Sequence, residues 1–157
     1  YDASYVAKCR ENFVAHGLAG NGGAAVVCKS VFDADLLRAV NDAAGAPADE
    51  LFDAAYFSGS ISLMPDPHVA LQIAAKALKP GGRVYVTQTF QRRDVPLLRF
   101  IKPLLKFVTT IDFGQLTFEA DIRRIVERSG LKLVEMSVIP DSVDNVMQAA
   151  FLLVMEP

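Results

Sequence analysis

The run from Phe52 to Ile61, Phe-Asp-Ala-Ala-Tyr-Phe-Ser-Gly-Ser-Ile, is nearly unbroken in its apolar character. A half-exposed strand would alternate apolar and polar residues. This one reads as a strand covered on both faces, as in a parallel sheet. Such a sheet needs helices on its faces and crossovers between its strands. The following residues supply them. Asp66-Pro67 opens a helix with proline at its first position, where a missing N–H costs little. Val69, Ala70, Ile73, Ala74, Ala77 and Leu78 give that helix a packing stripe, and Lys79-Pro80-Gly81-Gly82 stops it. Arg83 to Phe90 is the next strand.

The remaining segments continue the alternation of helix and strand signals that defines an α/β chain. Ser4 is a good N-cap, and Val6, Cys9, Phe13 and Val14 fall on one face of the helix it opens. His16 and Gly17 supply its last turn and C-cap. Asn21-Gly22-Gly23 is a turn, and Ala24 to Phe32 reads as a strand through Val26, Val27, Cys28 and Val31. A short helix from about Asp35 to Val40 leads into a loop at Asn41–Glu50. Thr117 caps a helix that runs to Ser129 and ends at Gly130. Leu131–Ile139 and Met147–Met155 read as two closing strands. The connection Asp141–Asn145 is too short for a helical crossover, so the two strands are expected to pair antiparallel.

A length of 157 residues suits one domain with an ordinary core. Sixteen basic against eighteen acidic side chains argue against a nucleic-acid binder, which carries a basic surplus. Cys9 and Cys28 cannot build a disulfide framework, which favours a reducing, cytoplasmic setting. No apolar run reaches the ~18–20 residues of a membrane span, and no signal or transit segment is visible. Two histidines and two cysteines without clustered spacing predict no metal site. His16 and His68 read as surface residues near helix ends. The chain opens on Tyr1-Asp2-Ala3-Ser4 rather than methionine, and a beginning that has been cut away is the expectation.

In order and spacing these signals resemble class I S-adenosylmethionine-dependent methyltransferases. The matching pieces begin with Asp2-Ala3-Ser4 before a helix containing Lys8-Cys9-Arg10-Glu11-Asn12, then Phe32-Asp33-Ala34. Next come Phe52-Asp53-Ala54-Ala55-Tyr56-Phe57-Ser58 with Pro65-Asp66-Pro67 behind it, and Leu78-Lys79-Pro80-Gly81-Gly82-Arg83 before a strand. Leu116-Thr117 and Ser129-Gly130-Leu131 bracket the last helix. The resemblance implies a Rossmann-like α/β fold with a mostly parallel sheet and an antiparallel C-terminal strand. It covers the C-terminal two-thirds to three-quarters of that fold and lacks the first strand-loop-helix unit. Gly20-Asn21-Gly22-Gly23 does not replace the missing glycine-rich loop, because it follows a helix and precedes a strand. A chain without the central first strand would expose two apolar edges. The missing part is therefore expected in the intact protein, or the gap is closed by swapping or dimerising. By itself the chain is expected to bind the donor weakly or not at all and to be inactive.

By the same resemblance, Asp2, with Ala3 beside it, meets the ribose hydroxyls of S-adenosylmethionine, as the acid of a dinucleotide fold does. Asp33 accepts from the adenine amino group, flanked by Phe32 and Ala34, and the backbone at Ser58-Gly59 meets the amino-acid end. Plainer structural roles compete with each: a helix-capping or solvated Asp2, an N-capping Asp33 with Asp35 as rival, and a tight strand exit at Ser58. Asp53, at the other end of that strand, reads as structural. Where many such enzymes carry polar or histidine residues this chain has Ser62 and Leu63, so no general base is named. Methyl transfer from an activated sulfonium relies largely on near-attack geometry, and needs a base only when the acceptor must lose a proton.

The implied function is methyl transfer to a small acceptor. Residues 92–113 are expected to form a substrate-covering insertion. On a helix over Asp94–Val108, Arg99, Lys102 and Lys106 share one face and apolar residues cover the rest, with Pro103 as a kink. Such a lid suits an apolar or amphipathic acceptor, and equally a membrane surface, a second subunit in a homodimer, or simple packing on the sheet. The alternative from another class is a non-catalytic methyltransferase-like scaffold or activator. A nicotinamide-dependent reductase ranks lower, because no Tyr-x-x-x-Lys pair occurs: Cys9, Ser60 and Thr89 follow Tyr5, Tyr56 and Tyr85 by four.

Overall fold

A computed structural model describes residues 3–19, 23–92 and 118–157. The chain divides into two compact units, Tyr1–Phe52 and Asp53–Pro157.

The first unit opens with helix α1, Ala3–Ala15. Ser4 lies within it rather than capping it, so the expected start is corrected by at least one residue. The helix ends at Gly17, whose left-handed φ of +67° is easy for a residue without a Cβ. Val6, Cys9 and Phe13 are half-buried. Val14 is 68% exposed, so it does not join their face.

The expected strand Ala24–Phe32 is not formed. A strand exists by pairing with a neighbour, and among the described residues the only ladder-type contact of this run is an isolated parallel bridge between Ala19 and Ala24. The Val26 carbonyl accepts instead from the Arg10 guanidinium, at 2.9 Å from Nη2 and 3.3 Å from Nε. Helix α2, Leu36–Ala44, follows. It continues past the expected end at Val40, taking Asn41–Ala44 from the expected loop. Buried Asn41 supports the extension by donating from Nδ2 to the Glu50 carbonyl at 2.9 Å.

The second unit holds the sheet. Strand β1 is Phe52–Ser58, and a 3-10 turn at Ile61–Leu63 leads to α3, Pro67–Lys76, with proline in the first turn as expected. Strand β2 spans Leu78–Gln91, α4 Glu119–Ser129, β3 Lys132–Val138 and β4 Gln148–Glu156. Strand order is β1-β2-β4-β3. β1 and β2 run parallel, and β4 lies antiparallel between β2 and β3. Three strands thus share one direction, and the last to form along the chain opposes them, in a mixed α/β sheet.

β2 starts earlier than expected. Residues Leu78–Gly82 still end the preceding helix, but they do so as extended chain beside β1. Gly82 lets the two backbones come close there, since a Cβ would stand 3.0 Å from the Asp53 carbonyl oxygen. Lys79 Nζ pairs with Asp53 at 3.2 Å. At the start of α4, Phe118 occupies the N-cap position, and its N–H donates to Asp121 Oδ2 at 3.2 Å. The expected cap, Thr117, lies outside the described residues.

One sheet face carries the core. Register pairs Val84 with Met155, Val86 with Leu153 and Phe90 with Ala149, and all six side chains are buried. Ala70 and Leu71 of α3 and Ile122 and Val126 of α4 complete the layer. The Phe90 and Phe151 rings meet at 5.8 Å between centroids.

Candidate functional site

In the first unit the expected adenine-side residues sit in a turn before α2. Asp33 and Phe32 are half-buried, and Ala34 is exposed. The Asp33 carboxylate does not cap α2. It turns back and accepts from the Ser30 N–H at 3.0 Å, while the Phe32 N–H donates to Ser30 Oγ at 3.1 Å. Asp35 is engaged elsewhere. Lys29 Nζ holds its carboxylate at 2.7 and 2.8 Å. That hydrogen bond keeps the Asp35 carboxyl below its ordinary value and raises Lys29 above its own. Lys29 also feels the Asp33 charge, but its hydrogen bonds go to Asp35. Ala3 is exposed in the first turn of α1, and Asp2 lies outside the described residues.

In the second unit, Ser58 ends β1, and Gly59 turns the chain with φ +62°. The Gly59 N–H donates to the Thr87 carbonyl at 2.8 Å, the last rung between β1 and β2. An ideal Cβ on Gly59 would meet nothing within 4 Å, so the backbone is open to an approaching group. This turn stands at the carboxyl end of a strand in an open α/β sheet, where such folds take their ligands. Tyr56 and Thr87 stand beside it, their hydroxyl oxygens 2.6 Å apart. The sequence reading missed both. Tyr56 was accessible to it, because a strand alternates faces and residues two apart share one. Thr87 was not, since only the β1–β2 register brings it there.

At the carboxyl end of β2 a cleft of about 570 Å³ is lined by Gln91, Arg92, Phe118, Glu119, Ala120 and Arg123. Arg92 Nη1 reaches Asp144 at 2.6 Å and tethers the β3–β4 connection. The Arg123 guanidinium pairs with Glu119 at 2.9 Å. Residues 93–117, with the expected lid and its Asp94–Val108 helix, lie outside the described residues. His16 is exposed and bonds the Asn12 carbonyl, and His68 is half-buried in the first turn of α3. Among the described residues no group of three or more His, Cys, Asp or Glu side chains is placed to hold a metal ion, and no helix is long and apolar enough to cross a membrane.

The family profile for a methyltransferase domain matches residues 1–136. No curated protein matches the chain. Among solved structures, the chain is similar to the O-methyltransferase of neocarzinostatin biosynthesis, a structure with S-adenosyl-L-homocysteine and 1,4-dihydroxy-2-naphthoic acid. Identity is 18% and TM-score 0.61, over 96% of this chain and 38% of that one. An O-methyltransferase family protein from Burkholderia thailandensis gives 19% and 0.62, over 94% and 39%. The [4+2]-cyclase SpnF gives 14% and 0.66, over 96% and 62%. The chain therefore spans between 38% and 62% of the length of these three structures. At such identities the likeness is one of fold, and it agrees with the strand order found here. With the profile covering most of its length, the chain belongs to the methyltransferase-domain family.

Proposed function

We propose that the protein transfers a methyl group from S-adenosylmethionine to a small acceptor, apolar or amphipathic in character. The observation that carries this reading is the open Ser58–Gly59 turn at the carboxyl end of β1, in a chain of this family. The residues present fit the donor at two places. The Gly59 backbone leaves room for a close approach by its amino-acid end, with Ser58 exposed beside it. The Asp33 carboxylate uses one oxygen on Ser30 and keeps acceptor capacity for an adenine amino group, with Phe32 as its apolar neighbour. A ribose contact from Asp2 rests on the resemblance.

When bound, S-adenosylmethionine supplies an activated methyl group. The chain's part is to hold and orient. In this reading Asp33 accepts from the nucleoside and, separately, the Ser58–Gly59 turn receives the amino-acid end; methyl transfer then relies on the acceptor being met in near-attack geometry. The cleft beside Gln91, Arg92 and Phe118 is the space this reading gives to the acceptor. The reading also expects a cytoplasmic protein with a small-molecule partner and no nucleic acid.

The native protein, incubated with methyl-labelled donor and a panel of phenols, amines, carboxylic acids and thiols, should release S-adenosylhomocysteine together with a labelled product. Asp33→Ala should abolish both. Absence of product from every acceptor, with no binding of S-adenosylhomocysteine, overturns the proposal. A second reading, a methyltransferase fold used without methylation, is favoured by the likeness to a cyclase. It predicts binding of S-adenosylhomocysteine without label transfer.

A further inference from the structure

Thr87 of β2 holds the Ser58–Gly59 turn from two directions. Its carbonyl accepts from the Gly59 N–H at 2.8 Å, and its hydroxyl lies 2.6 Å from the Tyr56 hydroxyl. Tyr56 is two residues before Ser58 and so shares its sheet face. The hydrogen bond with Thr87 holds the Tyr56 phenol below the ordinary tyrosine value. Two hydroxyl groups from two parallel strands therefore meet near the level where β1 ends. Tyr56 is 60% exposed, and hydrogen bonds at such a site add little to global stability. An aromatic residue left this open on a strand also buries little apolar area. Its position makes sense as a constraint on the turn.

We propose that Tyr56 and Thr87 form a latch that positions Ser58 and Gly59 for the amino-acid end of the donor, an inference that rests on the donor reading above. Tyr56 acts through Thr87, and Thr87 acts through the Gly59 N–H, so both are positioning residues. The latch fixes the plane of the Ser58–Gly59 peptide before any ligand arrives. Such prior ordering strengthens binding by removing an ordering cost from the association step.

The test uses Tyr56→Phe and Thr87→Val, which remove one hydroxyl each, and Thr87→Ser, which restores it. Hydrogen exchange at the Gly59 amide should accelerate about fivefold in the first two variants and return toward the parent rate in Thr87→Ser. S-adenosylhomocysteine, titrated while the same amide signal is followed, should bind Tyr56→Phe about fivefold more weakly than the parent. Melting temperature should stay within about 2 °C of the parent, since the effect is local. Unchanged Gly59 exchange in both variants overturns the latch, as does a general loss of melting temperature that tracks the exchange. If the parent shows no response to S-adenosylhomocysteine, the donor reading falls, and the exchange rates still decide whether the latch exists.

Discussion

Residues 24–32 and strand β1 are both short apolar runs rich in small and β-branched or aromatic side chains, yet they end in different states. β1 pairs with β2 and delivers an open turn at its carboxyl end. Among the described residues the run 24–32 has no ladder beyond the bridge at Ala24, ends in a turn at Val31-Phe32, and has a side-chain guanidinium on the Val26 carbonyl. Intrinsic preference is nearly the same in the two. What differs is whether a neighbouring backbone offers matching donors and acceptors, because strand propensity measures packing and pairing more than a property of the isolated chain. The consequence is a sharp contrast in packing. Of the residues described in the first unit only Ser30 and Asn41 are buried, whereas the second unit encloses Phe90, Leu71, Ile122 and Leu153 completely.

The contrast should be largest in core substitutions. Phe90→Ala should cost about 3–5 kcal/mol in chemical denaturation, while Val26→Ala, at a half-buried site without a ladder, should cost less than about 1 kcal/mol. Equal losses would mean that the run 24–32 is packed as firmly as the sheet. Gly82→Ala should come next, at about 1–3 kcal/mol by the same measurement, because its Cβ would press on the Asp53 carbonyl and part β1 from β2. A neutral result would show that the two strands can yield at that point. In the first unit, Asp33→Ala should cost about 1 kcal/mol by leaving the Ser30 N–H without its acceptor, far less than its effect on donor binding.

The smallest effect belongs to the Lys29–Asp35 pair, which is exposed. The folded Asp35 value lies below its unfolded one, so its contribution is present above the unfolded value and fades as pH falls through the folded one. Lys29 is raised, so its share is complete below its unfolded value and fades as pH rises through the folded one. Lys29→Met should return the Asp35 carboxyl, followed by carbon NMR, toward the ordinary aspartate range, with little change in melting temperature. An unmoved Asp35 would mean that another group holds it.

The mixed α/β layering, the proline at the start of α3, the antiparallel closing pair and the small-residue turn after β1 could all be read from residue order. Each depends on a local rule: a proline's fixed φ, the reach of a short connection, the period of a strand. The site was legible to the same depth. Ser58 and Gly59 declare a turn at a strand end, and Asp33 an acid after an apolar run. Which of Asp33 and Asp35 pairs with Lys29 and which stands at the N-cap position of α2 could not be read that way, because both depend on how the turn between them folds.

By itself, then, the order of amino acids determined the kinds of elements, most of their limits and the side chains available for chemistry, since these follow from contacts within a few residues. Tertiary structure alone decided that 24–32 would lack a ladder, that β2 would extend back to Leu78, and that Thr87 would stand beside Tyr56. Those outcomes depend on partners tens of residues away, and hydrogen bonds and close packing take effect only once a particular register has brought the two backbones together.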